Sequence, residues 1–380
     1  MEKNKFFPEV KGNFGFGCMR LPLGADGKVD RALFCEMADT FVDAGFNYFD
    51  TAHAYMGMES ETAVRECVVK RYPRDKYVLT DKLTGEFFKT EAEIRPFFEM
   101  QLKACGVEYF DFYLMHAQDK WTYPMFKECR AYEAALKLKE EGLIRHFGIS
   151  FHDKADLLDT ILTEYPQIEV VQIQFNYLDY EEASVESRKV YEVCEKHRKP
   201  VLVMEPVKGG SLVNLPPEAD AILRELGGGS NASYALRFAA GFPNIAVVLS
   251  GMSDLAQTKD NLSAMKDFVP LTEREVDAVR RVCEVFKGMN MIPCTSCRYC
   301  MDESECPKGI LIPDVFAAYN TYEMFHDWNA KYYYKSIVTG HGHGKARDCI
   351  KCGKCEKVCP QHLEIRKQME MIADKFDKKK

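Results

Sequence analysis

The chain has 380 residues, of which 46% are hydrophobic, and a formal net charge of -7. That length suits one large domain plus a small one, and an acid excess without a Lys/Arg stripe removes electrostatic support for nucleic-acid binding. No apolar run approaches the ~18 residues needed to span a bilayer, and "MEKNKFFPEV" lacks an apolar core and a small-residue cleavage site. A cytoplasmic protein with no membrane partner is therefore expected.

From Asn13 to about Met265, short β-rich runs alternate with helical patterns. An opening strand is predicted near "FGFGCMRL" (14–21). The others are "NYFD" (47–50), "YVLT" (77–80), "FYLMH" (112–116), "RHFGIS" (145–150), "VVQIQF" (170–175), "VLVME" (201–205) and "IAVVLS" (245–250). Between them, "DRALFCEMADTFVDAG" repeats its apolar residues with a helical period and ends in Gly45, a C-cap residue. "YPMFKECRAYEAALKLKEEG" reads as one more helix ending in Gly142. The glycines of "GNFGFG" (12–17) do not have the spacing of a dinucleotide fingerprint and read as turn chemistry. Eight parallel strands with crossover helices indicate an α/β protein built on a closed (β/α)8 TIM barrel.

A second region follows the helix "TEREVDAVRRVCEVFKG" (272–288), which gives a barrel over 1–288 and a small domain over 289–380. No Ser/Gly-rich linker separates them, so packed domains are expected. The terminal "KKK" reads as a solvated tail. Fifteen cysteines are too many for ordinary thiols in a reducing compartment, and eight fall in two groups after residue 290. The other seven, Cys18, Cys35, Cys67, Cys105, Cys129, Cys194 and Cys283, stand alone and read as small buried hydrophobes.

In such a barrel the chemistry sits where strands end. Asp50, Tyr55, Lys82, His116, Ser150, Gln172, Asn176, Glu205 and Ser250 occupy those positions. Reducing a carbonyl by hydride needs a proton donor for the developing alkoxide. A free tyrosine has a pKa near ~10, and a neighbouring ammonium favours its phenolate and so strengthens the acid. Asp50 would hold Lys82 charged, Tyr55 would give the proton, and His116 would orient the carbonyl oxygen. His53, in the same loop as Tyr55, reads as a wall residue.

The elements "FDTAHAY" (49–55), "TDKL" (80–83) and "LMH" (114–116) together resemble the aldo-keto reductases over roughly residues 12–270. The resemblance implies a catalytic tetrad of Asp50, Tyr55, Lys82 and His116, a small carbonyl or alcohol substrate, and NAD(H) or NADP(H). It also implies cofactor-binding roles for Ser150, Gln172, Lys208, Ser250, Gly251, Gln257 and Asn261. The family's Asn after G-x-S is here Phe151, and its stacking Tyr is Met204. Where the family often carries Lys or Arg for a 2′-phosphate, this chain has Gly251, Met252 and Gln257. NADH is therefore expected to serve at least as well as NADPH.

The last quarter contains "CTSCRYCMDESECP" and "CIKCGKCEKVCP". The second has the C-x2-C-x2-C-x3-C-P spacing of bacterial 4Fe–4S proteins, and the first has five residues before its last cysteine. Tetrahedral zinc is the rival reading. In two-cluster ferredoxins the fourth cysteine of each motif serves the other cluster. The expected ligand sets are Cys294, Cys297, Cys300 and Cys359 for one cluster, and Cys306, Cys349, Cys352 and Cys355 for the other. The 42-residue insert between the motifs reads as helix joined to helix, which resembles the helical dicluster ferredoxin domains fused to redox enzymes. His341 and His343 read as part of a glycine loop.

Nicotinamide moves two electrons as hydride, whereas a cluster moves one, and flavins normally bridge the two. A flavin bound in the barrel stays open. Three readings follow. The clusters exchange electrons with the barrel site or a ferredoxin-like partner; or they are structural or sensing parts of an ordinary carbonyl reductase; or the barrel is non-catalytic and the chain is an electron carrier or interaction module.

Overall fold

The computed structural model describes residues 3–182, 185–302, 304–325, 328–340 and 342–377. His341 and the lysines at 378–380 lie outside the described residues. Each predicted apolar run becomes one stave of a barrel. The strands are β1 (Phe14–Gly17), β2 (Tyr48–Asp50), β3 (Val78–Leu83), β4 (Phe110–Gln118), β5 (Ile144–Phe151), β6 (Val170–Gln174), β7 (Val201–Met204) and β8 (Ile245–Gly251). They are parallel, pair in sequence order, and close when β8 pairs with β1 through Phe14 and Val248. Both faces of such a strand are covered, which is why the runs are nearly all apolar.

Tyr48, Phe112, Leu114, Val170, Leu202, Val247 and Leu249 fill the inside, and Phe7 and Val10 join them from the N-terminal segment. The Phe7 ring meets those of Phe112 and His146 edge-on at 4.9 and 4.8 Å. Space decides residue type here as much as polarity. A Cβ on Gly148 of β5 would lie 2.6 Å from the Val170 carbonyl oxygen, so only glycine fits. The motif "GNFGFG" divides: Gly12 makes a turn at φ +70°, while Phe14–Gly17 is β1 rather than turn.

Some of the helices facing the strands begin at capping residues. Asp30 caps α1 (Arg31–Asp43) by accepting from the Leu33 amide at 3.0 Å. A short α2 (Ser60–Val64) follows β2. Thr90 and Glu93 form a capping box on α3 (Glu91–Cys105), which stops at Gly106 with φ +73°. The single helix expected over 123–142 is two, α4 (Thr122–Glu128) and α5 (Ala131–Glu140), broken at Arg130 with φ +53°. The bend lets Tyr132 stack on Tyr165 at 4.0 Å, a tertiary contact that periodicity does not reveal. The helices that follow along the chain are α6 (Ala155–Glu164), α7 (Ser187–Lys196), α8 (Pro217–Arg224), α9 (Asn231–Ala240) and α10 (Leu255–Met265). Cys35 and Cys67 correct the reading of seven single thiols, because they form a disulfide. Cys18, Cys105, Cys129 and Cys194 are buried as expected, and Cys283 is half-buried.

The chain divides into two compact units. One comprises Met1–Pro206 and Ala232–Leu271, the other Val207–Asn231 and Thr272–Lys380. In the second unit α8 lies against α11 (Glu273–Lys287), which has its own capping box from Thr272 and Glu275. After the short α12 (Tyr299–Asp302), the insert is helix joined to helix, α13 (Ile312–Phe325) and α14 (Trp328–Tyr333). Helices α15 (Lys354–Lys357) and α16 (Ile365–Ile372) complete it. Val315, Phe316, Tyr319, Tyr334, Met369, Ile372 and Phe376 form its core. No helix among the described residues is long and apolar enough to cross a membrane.

Candidate active site and cysteine cages

Strands β2, β3 and β4 bring Asp50, Lys82 and His116 to one end of the barrel, and the turn after β2 adds Tyr55. Lys82 Nζ donates to Asp50 Oδ1 at 2.6 Å and to the Thr51 carbonyl at 2.8 Å. Both side chains of the pair are buried, that of Lys82 completely. The same ammonium lies 4.8 Å from the centre of the Tyr55 ring, and the His116 ring stands edge-on to Tyr55 at 5.9 Å. Gln172 on β6 donates to Asp50 Oδ2 at 3.0 Å. Three strands, β2, β3 and β6, thus converge on one carboxylate, an arrangement no single element could specify.

The electrostatics differ from the sequence expectation at one point. Burial, followed by the charges of Asp50 and Asp81, holds the Tyr55 phenol well above its ordinary pKa. Asp50 sits closer to the ammonium than the ring does and offsets its pull. Tyr55 is therefore protonated, the form an acid needs before it acts. Burial and then Lys82 lower His116, so the imidazole is neutral. Its Nδ1 lies 2.8 Å from the Thr84 hydroxyl; when Thr84 donates, the proton of the ring is on Nε2.

Behind Asp50 and Lys82 lies a buried polar cluster that no sequence motif marks. Strand alternation turns Asp81 away from its neighbour Lys82 and toward the helices. There Asp81 and Glu61 of α2 share Gln101 of α3, whose Nε2 is 3.1 Å from Asp81 and 3.3 Å from Glu61. His53 Nδ1 meets Glu61 at 2.7 Å, and Tyr113 donates to Gln101 at 2.6 Å. Burial raises both carboxyls, Glu61 to about 7 and Asp81 well above its ordinary value. An Asp on the helix-facing side of an apolar strand was the signal available in "TDKL".

The residues expected to bind cofactor are distributed more loosely. Ser150 Oγ accepts from the Ala117 amide at 2.7 Å, and Asn261 on α10 donates to Ser250 Oγ at 3.0 Å. Gln257 is tied to the start of its own helix, accepting from the Ser253 amide and donating to Asp254. Asn176 closes a turn through Asp179 and donates to the Glu205 carbonyl at 3.0 Å. Arg20, which sequence reading passed over, runs its side chain along Gly251 and reaches Glu205 at 3.4 Å. A guanidinium therefore stands beside the loop that appeared to lack a cation. Lys208, buried, belongs to the second unit.

In the second unit Cys294, Cys297, Cys300 and Cys359 line one cavity with Ile312, Phe316, Leu363 and Ile365. The amides of Gln361, His362 and Leu363 point at the Cys359 sulfur, and that of Ser296 reaches Cys294 Sγ at 3.4 Å. Around Cys355, burial, Glu356 and then the sulfurs of Cys349, Cys306 and Cys352 push the thiol up to about 12. Thiols this close resist ionising together unless a cation sits among them. Sulfur-only donors, apolar walls and amides aimed at sulfur fit an iron–sulfur group in the first cage, and four neighbouring sulfurs fit one in the second. The Cys294 loop also packs against 207–211. Gly209 has φ +61°, and a Cβ there would collide with the Thr295 carbonyl. His343 lies in a turn, its amide donating to Gly340.

Comparison with known proteins agrees with both parts. The model described as "Aldo/keto reductase family" matches residues 13–284, and the "4Fe-4S dicluster domain" model matches residues 293–364. Aldo-keto reductase family 1 member C3 of Homo sapiens is 27% identical over 163 residues, which cover 38% of this chain and 48% of that protein. The matched stretch is thus about half of the human protein's length. The holo form of aldo-keto reductase AKR11C1 from Bacillus halodurans matches with a TM-score of 0.58 at 25% identity, over 71% of this chain and 91% of that one. An aldo-keto reductase from Klebsiella pneumoniae, solved in complex with NADPH, shares the fold with a TM-score of 0.61 at 20% identity, over 74% and 95%. Because the first match spans well over half of the 380 residues, the chain belongs to the aldo/keto reductase family and carries, after its barrel, a 4Fe–4S dicluster domain.

Proposed function

We propose that the barrel reduces a small carbonyl compound, or runs the reverse oxidation of an alcohol, with Asp50, Tyr55, Lys82 and His116 as its tetrad. The observation that carries this reading is the Asp50–Lys82 ion pair set beside the Tyr55 ring, with neutral His116 edge-on to the same ring. Nicotinamide, when bound, supplies or takes the hydride at the carbonyl carbon; the bound NADPH of the Klebsiella pneumoniae relative favours it over flavin. Tyr55 gives its proton to the carbonyl oxygen as negative charge develops there. Lys82 stabilises the phenolate left behind, and Asp50 keeps the ammonium in place. His116 holds the carbonyl oxygen by a hydrogen bond.

The two cysteine sets hold two 4Fe–4S clusters that exchange single electrons with a partner or with the barrel site. Support comes from the one-electron nature of such clusters and from an exposed cysteine in the second cage. The test is anaerobic: NADH, then NADPH, is added to purified protein and the cluster absorbance near ~400 nm is followed. Bleaching shows that nicotinamide electrons reach the clusters. If there is none while dithionite still bleaches, the clusters are isolated from the barrel, and a panel of aldehydes then tests the barrel by itself.

A further inference from the structure

We propose that the rim of the second cysteine cage, residues 350–357, is the docking surface for a small acidic protein that carries one electron at a time. This rests on the reading that the clusters exchange electrons with a partner, and it adds where and with what.

The first observation is accessibility. Of the eight cage cysteines, Cys352 alone is exposed; Cys300 and Cys359 are buried and the rest half-buried. Left-handed backbone at Lys351 (φ +58°) and Gly353 (φ +74°) turns the Cys352 loop outward. Electron transfer falls steeply with distance, so a carrier protein must approach the sulfur that reaches solvent. The first cage, walled by Ile312, Phe316 and Ile365, offers no comparable edge.

The second observation is an apolar contact at the same place. Ile350, two residues from Cys352, is 55% exposed. An aliphatic side chain held out beside an exposed metal ligand gives a small desolvated centre of the kind that transient redox interfaces have.

The third is charge. Residues 345–357 carry Lys345, Arg347, Lys351, Lys354 and Lys357 against Asp348 and Glu356, a surplus of three positive charges in a chain whose net charge is -7. Glu356 is already held by Arg366 at 2.7 Å, and Lys351 reaches Glu370. Lys354 and Lys357 are exposed and have no ion-pair partner among the described residues. A local basic ring on an acidic protein repels basic proteins at the ring, while the acidic surface elsewhere repels acidic proteins and so steers them to it. On docking, the reduced carrier loses one electron and the second cluster gains it; no bond forms and no proton moves.

The test uses the full chain loaded with its clusters under anaerobic conditions, and a purified acidic two-cluster ferredoxin as the probe. Calorimetry measures binding of the oxidised probe, and stopped-flow absorbance measures bleaching by the reduced probe, each at about 0.05 M and about 0.3 M salt. Expected are saturable binding at low salt, at least ten-fold weaker binding at high salt, and at least ten-fold slower bleaching in Lys354→Glu/Lys357→Glu. Iron content and dithionite-reducible absorbance stay unchanged in that variant, and Ile350→Ser weakens binding without altering its salt dependence. Equal binding by the charge-reversed variant, or no binding at low salt while dithionite still bleaches, overturns the proposal. Probe binding that Lys354→Glu/Lys357→Glu weakens, without bleaching by the reduced probe, separates the two readings: the docking surface stands and electron exchange with a partner fails.

Discussion

Lys82 is fully buried and its ammonium lies 2.6 Å from Asp50, so each of the two makes the other's charge tolerable inside the barrel. Removing one member of a buried pair strands the other, at a cost of about 3–5 kcal/mol. Tyr55 stands outside that pair, touching the ammonium only with its ring face. The tetrad therefore predicts two different kinds of failure. Tyr55→Phe keeps the fold and the cluster absorbance but loses carbonyl reduction by ~100-fold or more. Lys82→Met loses activity and also unfolds at markedly lower urea concentration. Steady-state turnover and urea melts on both variants check this; Tyr55→Phe turning over at more than about a tenth of the wild-type rate removes Tyr55 as the acid.

The crossed assignment of cysteines makes a second prediction. Cys359, from the second motif, lines a cavity with Cys294, Cys297 and Cys300 of the first. Cys359→Ser and Cys297→Ser should then remove the same iron and leave the same remainder, about half of the total, and the double variant should lose no more than either alone. Cys352→Ala should remove the other half. Iron analysis together with electron paramagnetic resonance of the reduced protein decides it. Additive loss from Cys359→Ser and Cys297→Ser would show that each motif keeps its own fourth ligand.

Gly209 carries a third prediction. Its φ of +61° already disfavours a side chain, and the space a Cβ needs is taken by the Thr295 carbonyl. Thr295 lies between Cys294 and Ser296, whose amide points to the Cys294 sulfur. Gly209→Ala should displace that loop and reduce the iron held by the first cage, leaving the second cage loaded. Gly227→Ala is the control, since its φ is also positive (+77°) but nothing lies near its Cβ. Equal iron content in the two variants would mean that the 207–211 contact does not shape the cage.

These positions also show what the sequence made legible. Alternation of short apolar runs with helical periods was enough for eight strands and their closure, because parallel strands covered on both faces must be nearly all apolar. That Asp50, Lys82 and His116 come together was legible because they stand at successive strand ends, and the grouping of the cysteines because their spacing is local. Other features depend on contacts between residues far apart in the chain. The Cys35–Cys67 disulfide joins α1 to the turn after α2 across 32 residues, and each cysteine by itself looks like any buried thiol. The break at Arg130 answers to the stacking of Tyr132 on Tyr165. Arg20 becomes a neighbour of Gly251 only when β8 closes on β1.

The Glu61–Asp81 cluster gives the last prediction, a dependence of stability on pH. Burial raises Glu61 to about 7 and Asp81 above its ordinary range. The groups facing Glu61 are His53 from the tetrad loop, Asp81 on β3, and Gln101 and Cys105 on α3. An acid whose pKa is raised on folding binds more protons in the folded state between its ordinary value and the raised one. Stability must then fall as pH rises through that interval. The contribution is fully present near pH ~4.5 and is lost above about 7. His53, which burial lowers, works in the opposite direction and is common to wild type and variant. Glu61→Gln keeps a side chain that hydrogen-bonds His53 and Gln101 but cannot ionise. Urea unfolding of both proteins at intervals between about pH 5 and 8 should show the variant gaining on the wild type as pH rises, since only the wild type must hold a charge beside Asp81. A stability difference that stays constant across the range would mean that Glu61 is ionised throughout, and that its carboxylate is held by His53 and not by a shared proton with Asp81.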